Sequence, residues 1–176
     1  METRGIDFRT LTLQDALDLA ILIEEEAQRR YAWFTQEVGG RYPGDADDMF
    51  RMMAGAEAKH ASRLIEHRRK LFGDAPRQIS IDQLDDVEAP DRGAPRVFMS
   101  ARQAMQVALE AEEKAHDFYD GALQEVRDPE VHELFVELRD EEVEHQRMVR
   151  ERMEPLPPGP DVEEDEADEP GTDPGN

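Results

Sequence analysis

The sequence predicts an all-α protein, a four-helix bundle made of two helical hairpins joined by a long crossover. Four segments place apolar residues at spacings of three and four, the period of a helix face turned toward a core. Cap and breaker residues mark where each segment starts or stops. The second pair of segments also repeats the first. At a shift of 88, Ala20, Glu24, Glu25, Ala27 and Tyr31 fall on Ala108, Glu112, Glu113, Ala115 and Tyr119; at a shift of 85, Phe50, Glu57 and His60 fall on Phe135, Glu142 and His145.

The first helix is expected to start near Thr12, whose hydroxyl can pair with Asp15, and to stop at Gly39-Gly40. Its apolar stripe is Leu13, Leu17, Ala20, Ala27, Tyr31 and Phe34, with Glu24 in the one missing place. The second follows Tyr42-Pro43-Gly44-Asp45, ends at Gly73, and carries Phe50, Met53, Glu57, His60 and Leu64 on one side. The third opens with the capping-box pattern Ser100-x-x-Gln103 and runs to about Val126, with Met105, Ala108, Glu112, Ala115, Tyr119 and Leu123 in register. The fourth begins at Asp128-Pro129-Glu130, a cap, a proline at the first helical position and an acid at the helix N-terminus, and ends before Pro155. Its stripe is Leu134, Leu138, Glu142, His145 and Val149.

Short turns inside each pair make the pairs antiparallel hairpins. The crossover spans roughly Asp74 to Met99, with Pro76, Pro90 and Pro95 and scattered Ile79, Ile81, Leu84 and Val87. The bundle domain is thus expected over residues 10–153. From Glu154 the chain carries nine acids, six prolines and no Lys or Arg, the composition of a disordered tail over 154–176.

Composition narrows the function. With no cysteine, the chain has no disulfide, iron–sulfur cluster, thiolate zinc site or rubredoxin-type iron. A formal charge of -22 repels nucleic acid and anionic membranes and attracts cations. The longest apolar run, Leu19 to Ile23, is too short to span a bilayer. Met1-Glu2-Thr3-Arg4 leads into polar sequence with no apolar run behind it, so a cytoplasmic location is expected.

Each helix pair offers one Glu from its first helix and a Glu-x-x-His from its second. Together these are four carboxylates (Glu24, Glu57, Glu112, Glu142) and two imidazoles (His60, His145), all on core-facing stripes. Four carboxylates buried without partners would cost several kcal/mol each and repel one another. Two divalent cations remove that cost, +4 against -4. Carboxylate with imidazole suits iron or manganese, and zinc can compete. Glu-x-x-His alone is weak: with 24 Glu and five His in 176 residues about 0.7 are expected by chance, and three occur. Register selects Glu57/His60 and Glu142/His145 over Glu113/His116. Two other readings stay open, a non-catalytic metal-binding or storage-adaptor protein and a metal-free helical interaction module.

The segments Glu24-Glu25-Glu26-Ala27 with Tyr31, Glu57-Ala58-Lys59-His60, Glu112-Glu113-Lys114-Ala115 with Tyr119, and Glu142-Val143-Glu144-His145 resemble the ferritin-like superfamily, in its rubrerythrin and erythrin branch. The resemblance covers about residues 10 to 153 and implies a diiron-carboxylate protein, two iron ions per chain, that oxidises ferrous iron with dioxygen or peroxide. It implies terminal or shifting ligands in Glu24 and Glu112, bridging carboxylates in Glu57 and Glu142, and one metal capped by each of His60 and His145. The six would be catalytic as well as metal-binding. Without a rubredoxin domain, electrons come from an external donor. The further Glu that many members carry three residues after the third-helix ligand is Ala115 here.

Other residues compete for attention. His116 lies four residues after Glu112, where the other copy has Gln28, and is either a ligand or a core-edge histidine. Glu25 and Glu113 point about 100° away from the ligands, toward solvent or a neighbouring helix. Tyr31 and Tyr119 either hydrogen-bond site carboxylates or pack in the core, and His67 and His132 are expected at the surface. Trp33 and Phe34, with Met49, Met52 and Met53, offer apolar area beyond one bundle's needs, which points to a homodimer or larger homo-oligomer.

Overall fold

Helix α1 (Leu13–Val38) begins with a reciprocal cap. The Asp15 N–H donates to the Thr12 hydroxyl at 3.2 Å, and that hydroxyl donates to the Asp15 carboxylate at 2.6 Å. Helix α2 (Ala46–Phe72) follows Asp45 in extended conformation, and the Asp48 carboxylate accepts from the Gly44 N–H at 2.7 Å. It stops at Gly73, whose φ of 59° suits a residue without a side chain. Helix α3 (Ala101–Leu123) carries the complete Ser100/Gln103 capping box. It ends at Leu123, short of Val126, because residues 124 to 126 close as turns onto Gly121 and Ala122. Helix α4 (Pro129–Met153) is capped by Asp128, which accepts from the Glu130 and Val131 N–H groups at 2.8 and 3.2 Å. This computed structural model describes residues 6–38, 44–80, 87, 89–96 and 99–158. Gly39-Gly40, Tyr42-Pro43, Ile81, Leu84 and the tail from residue 159 lie outside them.

Helix α1 packs on α2 and α3 on α4, forming two hairpins, while α2 against α3 and α1 against α4 join the pairs into one bundle. The core divides into two apolar clusters. One gathers Leu17, Ile21, Leu64, Phe118, Tyr119, Phe135 and Leu138; the other gathers Ala27, Tyr31, Phe34, Phe50, Met53, Met105 and Val149. Along every helix the switch between clusters falls at the same kind of place: at Glu24 on α1, Glu57 and His60 on α2, Glu112 on α3, Glu142 and His145 on α4. A polar layer therefore crosses the middle of an otherwise apolar core. The internal repeat is also a packing repeat. Tyr31 stacks on Phe50 at 6.1 Å, and their counterparts Tyr119 and Phe135 meet at 5.5 Å.

A single stripe does not describe α1. Every residue from Ala16 to Glu24 is buried, and Phe8, Leu11 and Val87 join this stretch in one apolar cluster, Phe8 packing edge-on against Phe118 and Phe135. Polar contacts tie the chain after α2 to α1. Arg68 forms a buried ion pair with Asp18 and donates to the Ala75 carbonyl at 2.9 Å. Gln78 N–H donates to Asp18 at 3.3 Å, Arg77 pairs with Glu25 at 3.0 Å, and Arg30 donates to the Pro90 carbonyl at 2.6 Å. From α3, Lys114 reaches the Ala89 carbonyl at 2.8 Å.

Residues 154–158 do not behave as the start of a free tail. Arg102, at the beginning of α3, donates to the carbonyls of Met153, Leu156 and Pro157 at 2.9, 2.7 and 3.2 Å, which ends α4 and seats Leu156 on the core. Among the described residues no helix is long and apolar enough to cross a membrane.

Candidate metal centre

Glu24 and Glu112 face inward because they occupy core positions of α1 and α3, while Glu57 and His60 on α2, and Glu142 and His145 on α4, are each one helical turn apart. The structure gathers the six side chains into two groups. In each, Glu24/Glu57/His60 and Glu112/Glu142/His145, donor atoms from all three residues lie within 4.8 Å of one another. Each hairpin supplies one complete group. All four carboxylates are at most 2 % exposed. The two imidazoles stack face to face, ring centroids 4.4 Å apart and planes within 3°, so the groups meet at their histidines. Residue spacing alone does not show this contact, which depends on how the two hairpins dock.

His145 Nδ1 lies 3.1 Å from Glu112 Oε2 and 3.2 Å from Glu142 Oε2. In the first group His60 Nδ1 is 3.6 Å from Glu24 and 3.5 Å from Glu57, beyond hydrogen-bond range. Glu24 Oε2, both oxygens of Glu57, His60 Nδ1 and Glu112 Oε1 are buried with no hydrogen-bond partner. Burial raises the Glu24 pKa to about 7 and lifts Glu142 well above the usual carboxylate range. Burial opposes the imidazolium of His60, but Glu24 and Glu57 beside it more than offset this and bring it to about 9. Glu112 and Glu142 do the same for His145, which reaches about 11. Buried carboxylate oxygens without hydrogen-bond partners, beside imidazole nitrogens, are donors that a bound cation would satisfy. The donor set, two Glu and one His in each group, fits two iron or manganese ions.

The neighbouring residues fall elsewhere. His116 is half-buried and faces Asp117 at 3.2 Å, outside both groups. Glu113 pairs with Arg150 of α4 at 2.7 Å. Tyr31 and Tyr119 are fully buried among aromatic rings, and His67 and His132 are exposed. Phe34 is no surplus surface: it is completely buried against Phe50, at 5.2 Å, while Trp33 beside it is 39 % exposed. Met52 and Met53 border a cavity of about 270 Å³ that opens onto the histidines. Their spacing marked an apolar face but not a cavity, because the opposite wall comes from Met148 and Val149 on α4.

A bundle of two helical hairpins with a Glu/Glu/His group in each, meeting at mid-length, is a ferritin-like protein with a site suited to two metal ions. The rubrerythrin family profile matches residues 15–153, and the chain belongs to that family. Members typically bind a diiron centre, and the two groups fit one. An uncharacterized conserved protein of Magnetospirillum magnetotacticum MS-1 shares the fold at a TM-score of 0.64 and 26% identity, over 84% of this chain and 97% of that one. A hypothetical protein of Pyrococcus furiosus shares it at 0.52 and 21% identity, over 81% of this chain and 89% of that one. No curated protein matches the chain.

Proposed function

We propose that the protein holds two iron ions per chain in Glu24, Glu57, His60, Glu112, Glu142 and His145 and oxidises ferrous iron with dioxygen or peroxide, in iron handling or peroxide defence. The observation that best supports this reading is the layer of buried carboxylate oxygens without partners beside two stacked imidazoles. Two ferrous ions held there would supply the electron pair that an oxidant needs.

The chain's own groups do the rest. Glu57 and Glu142 would serve as the shared carboxylates, Glu24 and Glu112 would complete the coordination, and His60 and His145 would each hold one ion. The apolar clusters above and below the layer lower the local dielectric and strengthen the charge interactions within it. Protons would compete with metal ions for Glu24 and the imidazoles.

Anaerobic titration with ferrous iron is expected to saturate at two ions per chain, and admitting an oxidant should then produce ferric iron rapidly. Glu57→Ala should lower occupancy of both ions, because a bridging ligand touches both. Saturation at one ion or none, or loss of a single ion in that variant, contradicts the assignment. Binding without rapid oxidation would mark the protein as a metal carrier.

A further inference from the structure

The cavity beside the histidines has more room and more apolar wall than dioxygen or hydrogen peroxide requires. Its volume is about 270 Å³. A water molecule takes about 30 Å³, and an apolar cavity of about 150 Å³ suffices for benzene. Its walls are Met52, Met53 and Ala56 of α2 and Met148 and Val149 of α4. Thioether side chains are flexible and polarisable, so they shape themselves around organic groups of different outline.

The polar groups are segregated. At the inner end lie His60, His145, Glu57 and Glu112, with unpartnered buried atoms on three of the four. At the outer edge are the exposed side chains of Lys59 and Arg152, two cations on a chain of net charge -22. A ferrous ion approaching through this mouth would pass two positive charges; an uncharged molecule would not be repelled. The pocket thus has a polar floor for one end of a ligand and an apolar wall for its body, the usual design of a small-molecule site.

We propose that this cavity binds an organic hydroperoxide, with the peroxide group toward the histidines and the hydrocarbon body on Met52, Met53 and Met148. The inference rests on the diiron reading above and specifies its oxidant. The step is ROOH + 2 Fe²⁺ + 2 H⁺ → ROH + H₂O + 2 Fe³⁺. The O–O bond breaks, the two ferrous ions each lose one electron, and the two protons complete the alcohol and the water.

The first test needs neither metal nor turnover. In the metal-free protein labelled with ¹³C at methionine methyl groups, cumyl alcohol, the inert product of cumene hydroperoxide, should shift the Met52, Met53 and Met148 resonances saturably and leave Met99, which does not line the cavity, unmoved. Met52→Trp, which fills the cavity from a partly exposed position, should abolish the shifts, and Met52→Leu should retain them. In the iron-loaded protein the rate with cumene hydroperoxide, divided by that with hydrogen peroxide, should fall at least tenfold in Met52→Trp and stay near the parent value in Met52→Leu. Ferrous oxidation by hydrogen peroxide or dioxygen with no methionine shifts, or a rate ratio unmoved by Met52→Trp, overturns this inference and leaves the diiron reading standing. No ferrous oxidation with any of the three oxidants overturns both.

Discussion

Protons and metal ions compete for the same buried atoms of Glu24, His60, Glu142 and His145, and this competition fixes how the site responds to pH. In the metal-free protein Glu24 has a pKa raised by burial to about 7, while His60 and His145, held protonated by neighbouring carboxylates, are raised to about 9 and about 11. A raised folded-state pKa contributes stability that is complete below the unfolded value and is lost as pH rises through the folded one. For Glu24 that window runs from the ordinary value of 4.5 to about 7, and for His60 from 6.5 to about 9. The metal-free protein should therefore melt at progressively lower temperature from pH 5 to pH 9. The iron-loaded protein should show the opposite trend at fixed free metal, since binding must displace those protons. Thermal melts of both forms across this range test it, with Glu24→Gln expected to flatten the metal-free curve between pH 5 and 7. A metal-free melting temperature that rises with pH would falsify the placement of protons on this layer.

Among the elements, the crossover depends most on a single contact, the buried pair of Asp18 and Arg68. Asp18 is fully buried and Arg68 7 % exposed; the pair joins α1 to α2 and, through Ala75 and Gln78, begins the crossover. Removing one partner strands a buried charge, at a cost of about 3–5 kcal/mol. Asp18→Ala should therefore lower the melting temperature by roughly 10 °C for a domain of this size. Adding Arg68→Leu should recover most of that loss, because the stranded guanidinium, not the missing salt bridge, carries the cost. Equal melting temperatures for the single and double variants would show that the pair itself is stabilising. The pair also shows where sequence reading stops. The carboxylates and imidazoles of the central layer were legible because each interrupts an apolar stripe and recurs in the second copy. Asp18 also interrupts an apolar run, but its partner lies 50 residues away and its counterpart in the second copy is Gln106, so neither period nor repeat marks it. Burial of α1 on both sides was hidden for a related reason: Phe8, Leu11 and Val87 belong to segments without periodicity. The histidine stack and the methionine cavity required the docking of two hairpins, which a single helix pattern does not encode.

For the molecule as a whole, the long-range field and the buried layer act on iron at different distances. The strongly acidic segment and the bundle body share a net charge of -22, and removing residues 159–176 takes away eight acids and no Lys or Arg, leaving -14. Such a truncation spares the Arg102 contacts to Met153, Leu156 and Pro157, whereas cutting at residue 154 would remove two of those acceptors along with Leu156 from the core edge. The shorter cut is therefore the one that separates charge from fold. Melting temperature and the two-ion stoichiometry should be unchanged by it. The rate of ferrous oxidation should fall less than threefold at low salt, since the body still attracts cations. The difference should disappear at high salt, because the attraction is screened within about 10 Å at 0.1 M and more tightly above that. Stopped-flow oxidation of the full-length and truncated proteins across a salt series measures both. A truncated protein that binds two ions but oxidises none at any salt concentration would place residues 159–176 in the reaction itself, and the central layer would then be a binding site whose chemistry is completed from outside the bundle.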